Sequence, residues 1–287
     1  MKQDYEWQER AVFLANMDLS WRQIADIVKR PKSTVSDFLR KYTNFVEGSD
    51  QPQYGYDDTQ NGYDNSRILF ISDMHIPYHH KAVIPFLAGL KTRYEPTRVV
   101  CLGDELDKHA MSFHDSDPDL PSAGDELKRA LPTIRIIEEL FPEMDLVDSN
   151  HGSLAYRKAK HHGIPRHYLR SYNEVLEVGK GWKWHFDLTL DMSEYDKPDV
   201  YVHHGKNSSA IKVAQLMGMS HVCGHYHESF GIQYASTPNA LLFGMNVGCL
   251  IDRKALAFAY SNSNMKRQVI GTGLIIDGIP ILEAMEL

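Results

Sequence analysis

Five short segments of this chain end in residues that bind divalent metals. They are Asp73-Met74-His75, Gly103-Asp104-Glu105-Leu106-Asp107, Ser149-Asn150-His151-Gly152, His203-His204-Gly205 and Gly224-His225-Tyr226-His227. A carboxylate oxygen beside an imidazole nitrogen suits a first-row divalent ion. Taken singly, each segment reads more simply as an exposed turn or a satisfied core histidine. Taken together, they supply carboxylates, an amide and several imidazoles, enough for two ions. Two ions about 3.5–4 Å apart can clamp a phosphoryl group and share an activated water. A centrally placed Asp104 would bridge them. Gly103, Gly205 and Gly224 allow tight turns and close backbone approach beside these groups.

The elements that must position these residues alternate between strand and helix. Ile68 to Ile71 is an apolar, β-favouring run that reads as a buried parallel strand stopping at Asp73 and His75. In extended backbone, residues i and i+2 share a face, so Asp73 and His75 are expected to converge just past the strand's carboxyl end. His79 to Thr92 reads as a helix and Thr97 to Leu102 as the second strand. The interval from Asp73 to Asp104 is one βαβ unit. A polar insertion, Lys108 to Gly124, precedes a helix from Asp125 to Phe141. Met144 to Val147 is a third strand, followed by a basic helical segment from Leu154 to Val178. Trp182 to Leu190 alternates like an exposed strand. Val200 to Val202 and His221 to Cys223 are strands, with a helix from Ser208 to Leu216 between them. The remainder reads as mainly β, closing on a hairpin at Asp277-Gly278.

Ahead of this lie two segments of different character. Residues 1–46 read as a small all-α domain of three short helices. Trp7, Ala11, Phe13 and Leu14 mark the first, Ser20 caps a second over Trp21 to Lys29, Pro31 breaks it, and Ser33 caps a third. The run Trp-Arg-Gln-Ile-Ala-Asp-Ile-Val, a break, then Ser-Thr-Val-Ser-Asp-Phe-Leu-Arg resembles a helix-turn-helix module. That resemblance implies DNA contacts from Lys32, Ser33, Thr34, Ser36 and Arg40. The competing reading is a three-helix module that docks protein. Residues 47–66 are rich in Asp, Gly, Gln, Asn and Tyr and poor in aliphatics, which predicts a flexible acidic linker. The third domain is 67–287.

The 287 residues carry a formal net charge of -7, so any nucleic-acid contact must be local rather than a property of the whole surface. No apolar run approaches membrane-spanning length and the N-terminus lacks a signal-peptide pattern, which predicts a cytoplasmic protein with no membrane partner. Cys101, Cys223 and Cys249 sit in apolar runs and read as reduced structural thiols.

In this order and spacing, the five motifs resemble those of the calcineurin-like metallophosphoesterases, over about Arg67 to Leu287. The resemblance implies a four-layer α/β/β/α sandwich with a centre of two divalent metal ions, manganese first, with iron, zinc or nickel as alternatives. Carried over position by position, Asp73, His75 and His227 take one ion and Asn150, His204 and His225 the other, with Asp104 bridging. His204 is implied rather than His203 because the family's ligand directly precedes glycine. His151 is implied to contact the phosphate and act as general acid, held and kept protonated by Asp107. The family's usual glycine before the asparagine is Ser149 here, which either reshapes the turn or adds a donor. Asn246-Val247-Gly248 is similar to the family's later Asn-x-Gly turn. No ligand position is replaced, which weighs against a catalytically dead copy.

Arg157, Lys158, Lys160, His161, His162, Arg166, His167, Tyr168, Arg170 and Tyr172 follow the His151 turn. Cations interleaved with aromatics suit a nucleic-acid backbone with stacked bases; a solvated helix face is the plainer alternative. Arg157 is the expected phosphate clamp, because its planar fork matches phosphate oxygens. The leading expectation is a phosphodiesterase acting on DNA, a nuclease tethered by its N-terminal module, in a phage or mobile-element setting. The alternatives are a phosphomonoesterase of a nucleotide, nucleic-acid end or phosphoprotein, and a DNA-binding regulator that uses the fold as a scaffold. Oligomeric state is not legible.

Overall fold

The structure, a computed structural model, describes residues 7, 10, 11, 21–39, 62–113, 119–252, 254, 255 and 267–285. The chain divides into two compact units, Met1–Gln53 and Tyr54–Leu287.

In the first unit, helix α1 (Trp21–Val28) and helix α2 (32–39) close over a small core of Ala11, Ile24, Ala25, Val35 and Leu39. Trp7 packs edge-on against Phe38, ring centroids 5.2 Å apart. Ser33 is not the cap of α2. The helix begins at Lys32, and the Pro31 carbonyl accepts the Val35 amide at 3.1 Å; proline serves at this position because no amide is needed there. Lys32, Ser33 and Thr34 are exposed on the first turn, while half-buried Ser36 donates to the Ser33 carbonyl at 2.9 Å. Phe13, Leu14, Ser20 and Arg40 lie outside the described residues.

The second unit is a sandwich of two mixed sheets flanked by helices. One sheet runs β11-β10-β1-β2-β3-β4 and the other β5-β6-β7-β9-β8. In the first sheet, β1 (Arg67–Ile71), β2 (Arg98–Cys101), β3 (Met144–Val147) and β4 (Trp182–His185) are parallel neighbours. The antiparallel hairpin β10 (Gly271–Ile276) and β11 (Ile279–Ala284) continues it, turning at Asp277 and Gly278, both at positive φ. In the second sheet, β6 (Val200–Val202), β7 (Ser220–Cys223) and β9 (Leu241–Val247) are parallel, and β5 (Leu188–Leu190) and β8 (Phe230–Ser236) are antiparallel edges.

The two-residue period of β1 builds both cores. Ile68 and Phe70 point between the sheets, against Val100, Val202, Val222 and Met245. Leu69 and Ile71 point the other way, against α3 (Val83–Tyr94) and α4 (Ala123–Leu140) through Leu87, Ile134 and Ile137. Helix α7 (Ala210–Met217) covers the outer face of the second sheet. It approaches β9 so closely at Gly244 that a Cβ there would strike the backbone of Ala210 and Ile211.

Three expectations change. Trp182 to Leu190 is not one exposed strand: β4 and β5 belong to different sheets, and Trp182 is 1% exposed. The segment Leu154 to Val178 is not one helix. It breaks after α5 (Leu154–His161) at Gly163, which sits at φ 72°, and Pro165, and resumes as α6 (Tyr172–Leu176). The end of the expected linker is docked. The Tyr63 ring lies 4.0 Å under the Arg98 guanidinium, Lys183 reaches the Tyr63 hydroxyl at 2.8 Å, and buried Asn65 accepts from Arg98 at 3.0 Å. Residues 47–61 lie outside the described residues.

Candidate metal centre

The five segments meet at the carboxyl ends of the central strands. Strand alternation is not what brings Asp73 and His75 together, since β1 has ended at Ile71. Both residues are at positive φ (51° and 46°), as are Asp104 (52°) and His225 (65°). A left-handed backbone at four non-glycine positions is costly, and such strain clusters where function over-determines it. Gly224 makes room for this, since a Cβ there would collide with the Ser72 hydroxyl and the Asp73 carboxylate.

Asp73 and Asp104 are buried and approached from several sides. Asp73 accepts from the His225 amide at 2.9 Å and from the Ser72 hydroxyl, and His227 Nε2 lies 3.0 Å from its other oxygen. Asp104 Oδ2 lies 3.6 Å from His75 Nε2 and 3.2 Å from His204 Nε2. Asn150 Oδ1 is 2.7 Å from His204 Nε2. The ligating atoms fall into clusters that share members: Asp73, His75 and His227; His75, Asp104 and His151; Asp104, His204 and His225.

Burial opposes ionisation of Asp73, but the His227 hydrogen bond and charge overcome it and hold the carboxyl near 2. Asp104 is likewise held well below the usual carboxylate range, burial being outweighed by His204, His151 and His75. Conversely, Asp104 outweighs burial at His204 and raises it to about 9, and Asp107 and Asp104 raise His75. The imidazoles supply the positive charge these carboxylates require.

The donor set fits divalent cations. The His75 Nδ1 faces the Asp107 carboxylate at 2.8 Å and the His204 Nδ1 faces the Leu102 carbonyl at 2.7 Å. Fixing the outer nitrogen turns each Nε2 lone pair inward. The His75 Nε2 is buried without a hydrogen-bond partner, although carboxylates stand 3.6 and 3.9 Å away. A buried nitrogen so placed, without a hydrogen-bond partner, suits a cation ligand.

Two assigned roles change. The Asp107 carboxylate orients His75, and it is the Asp107 backbone carbonyl that receives the His151 Nδ1; the carboxylate oxygen is 3.9 Å from that nitrogen. Asp107 still favours the protonated form of His151 through its carbonyl and its charge, but burial outweighs it. Burial pushes the His151 pKa below its ordinary value, with Asp104 only partly opposing. His203 is absent from the clusters. Its Nδ1 accepts the Gly205 amide at 3.0 Å and its ring stacks on Tyr201. Arg157 donates to the Asn150 carbonyl at 2.5 Å, at the rim of the centre.

The arrangement is similar to the fold of the calcineurin-like metallophosphoesterases. Two mixed sheets packed face to face between helices carry the Asp-x-His, Gly-Asp, Asn-His, His-Gly and Gly-His-x-His segments at adjacent strand ends. No family model matches the chain, and no curated protein matches it. Some solved structures are similar to it. A single mutant of Vps29 from Entamoeba histolytica is 15% identical, covering 77% of this chain and 99% of that one, TM-score 0.35. The phosphoesterase Yfce from E. coli is 14% identical, covering 77% and 100%, TM-score 0.35. The nuclease MPE from Pseudomonas putida is 12% identical, covering 76% and 87%, TM-score 0.31. None of these similarities assigns a role to a residue of this chain.

Several further residues brace the candidate metal centre. Ser149 stands where the family has glycine, and its hydroxyl accepts the amides of Asp104 and Gly152, both at 2.9 Å. It braces the Asp104 turn against the His151 turn. Lys108 donates to the Gly152 carbonyl at 2.7 Å, and the buried Glu126 carboxylate accepts the Lys108 and His109 amides at 2.5 and 3.1 Å. The polarity of the 108–124 insertion was the only trace of Lys108 and His109 in the sequence. The turn after Asn246 contributes through Leu250, whose amide donates to the Asp73 carbonyl at 3.1 Å.

Proposed function

We propose that the chain is a dinuclear metal-dependent phosphoesterase whose substrate is a phosphodiester of DNA. The observation that carries the dinuclear reading is the place of Asp104, its carboxylate within 3.6 Å of His75 on one side and 3.2 Å of His204 on the other. Asp73, His75 and His227 would hold one ion, and Asn150, His204 and His225 the other, with Asp104 shared. Manganese is the first candidate. Bound there, such ions supply Lewis acidity to the phosphoryl oxygens and activate water. The chain's own residues do the rest. Asp107 and the Leu102 carbonyl fix the ligand rings. The His151 Nδ1–H is committed to the Asp107 carbonyl, so the proton it exchanges with a leaving oxygen is the one on Nε2. Burial, which lowers the His151 pKa, makes that nitrogen a readier donor.

The case for DNA rests on the rim and on the first unit. Exposed Phe113 is flanked by the Lys158 ammonium at 4.5 Å, the Arg157 guanidinium at 5.5 Å and the His161 ring at 6.1 Å. An aromatic face among cations suits a base with its phosphate. In the first unit, Lys32, Ser33 and Thr34 present donors on an exposed helix start, with Ser36 and Arg40 further along the sequence; these would contact the DNA backbone. The test is to load the protein with manganese, measure the metal, and incubate it with bis(p-nitrophenyl) phosphate, p-nitrophenyl phosphate, and labelled single- and double-stranded DNA. About two equivalents of metal with diester turnover and DNA products are expected. Zero equivalents at saturation would sink the dinuclear reading. Turnover of the monoester alone would replace the nuclease with a phosphomonoesterase.

A further inference from the structure

A cavity of about 290 Å³, lined in part by the sequence neighbours of Asp107 and His151, opens between the loop after β2, the start of α4, and the segment from α5 to α6. Its floor is apolar, with Leu106, Leu127 and Val175 among its lining. Two of its walls are aromatic. Tyr156 lies under the Arg166 guanidinium, 4.7 Å from ring centroid to Cζ, and Tyr172 lies under the Lys108 ammonium at 5.5 Å. Exposed Arg170 adds a third cation to the lining. The one acidic group there, Glu126, is already engaged by two backbone amides. Ligand pockets usually span about 300–1,000 Å³, so this one has room for a single ring system. Lys108 is also paired with Glu105 at 3.6 Å, and the apolar lining, aromatic walls and cations, with Arg170 exposed among them, together describe a flat heteroaromatic ring attached to an anion.

The cavity is tied covalently and by hydrogen bonds to the catalytic turns. Leu106 and Lys108 flank Asp107, Ala155 and Tyr156 follow His151 by one helical turn, and Lys108 bonds the Gly152 carbonyl at 2.7 Å. We propose that this cavity is a nucleobase pocket, seating the base of a nucleotide whose phosphate lies at the metal centre, and so setting substrate choice. The proposal rests on the phosphoesterase reading for what the phosphate does, though not for whether the ring binds.

The experiment is calorimetric titration of the full chain with deoxyadenosine monophosphate, with deoxyribose 5-phosphate, which lacks the base, and with deoxyadenosine, which lacks the phosphate. The nucleotide should bind about tenfold or more tightly than the sugar phosphate. Ala155→Trp, which fills the cavity from an exposed helical position, should remove that advantage and leave sugar-phosphate affinity unchanged. Arg170→Ala, at an exposed site where folding is insensitive, should weaken the nucleotide more than the nucleoside; thermal melts of both variants verify folding. Equal wild-type affinity for nucleotide and sugar phosphate, or a nucleotide affinity that Ala155→Trp leaves unchanged, would overturn the pocket. If base-dependent binding is present and lost in Ala155→Trp, while the metal-loaded wild type hydrolyses no phosphoester, the pocket stands and the esterase reading falls.

Discussion

Asp107 shows how much of this site depends on which oxygen of a residue is used. Its carboxylate holds His75 and its carbonyl holds His151, so removing the carboxylate should act through the metal and not through the acid. Asp107→Asn is expected to lower metal affinity by about 10–100-fold, the usual effect of losing such an orienting partner. His151→Ala should keep full metal content and lose about 10²–10⁴-fold in turnover. The His151→Ala loss should be smaller on p-nitrophenyl esters than on alkyl esters, because a good leaving group needs little protonation. Metal titration alongside turnover on both esters separates the two variants; metal loss in His151→Ala would make that residue a ligand. Residue types were the legible part of the centre. Asp73, His75, Asp104, Asn150, the His203–His204 pair, His225 and His227 could be singled out as candidates by identity and spacing, while the choice of His204 came from the family resemblance. The left-handed backbone of Asp73, His75, Asp104 and His225 was not legible, since φ at a non-glycine residue leaves no mark in sequence. Nor was the division of labour within Asp107, because a backbone carbonyl is present at every position.

Among the elements, period-2 runs such as Ile68 to Ile71 and the Asp277-Gly278 turn could be read directly. The break between β4 and β5 could not, because Trp182, Trp184, Leu188 and Leu190 keep an alternation that both sheets satisfy. Two contacts between elements carry predictions. At Gly244, α7 meets β9 through backbone atoms that cannot move aside, so Gly244→Ala should destabilise by about 1–3 kcal/mol. A thermal melt checks this, and metal content should be unchanged because α7 bears no ligand. At the start of the first sheet, Asp145 of β3 pairs with Arg98 of β2 at 2.8 Å and with His185 of β4 at 2.7 Å. Burial raises the Asp145 pKa, but the His185 hydrogen bond and the Arg98 charge outweigh it and leave it lowered. A carboxyl depressed in the folded state contributes stability above its unfolded value, about 3.9, and loses it as pH falls through the folded value. Asp145→Asn should therefore be less stable at pH 7 by about 3–5 kcal/mol, the scale for breaking a buried pair. Its stability should also fall less steeply than wild type below about pH 4. Melting temperatures from pH 3 to 7 for both proteins read both effects; identical acid limbs would remove Asp145 from the account.

For the whole chain, every candidate ligand lies in the second unit, so a protein lacking the first unit should retain small-diester turnover. Where it is cut matters. A chain beginning at Gly62 keeps Tyr63 and Asn65 on Arg98. One beginning at Arg67 leaves that buried guanidinium without them and should be less stable by about 1–3 kcal/mol. Both should bind DNA more weakly and with a shallower salt dependence, because fewer phosphates are neutralised. Denaturant melts and filter binding at several salt concentrations check the two statements, and loss of chromogenic turnover in the longer truncation product would place part of the site in the first unit. The docked Tyr63–Asn65 segment has a further use. It meets the sheet where Arg67, Arg98 and Lys183 begin their strands, whereas the ligands gather where those strands finish, roughly 15 Å away at the rise of an extended chain. A fluorophore, surface anchor or fused reporter attached just ahead of Gly62 would thus sit at the far end of the sheet, leaving the catalytic rim open to long polymers. Immobilised in this way, single molecules could be presented with stretched DNA to test whether they cleave it.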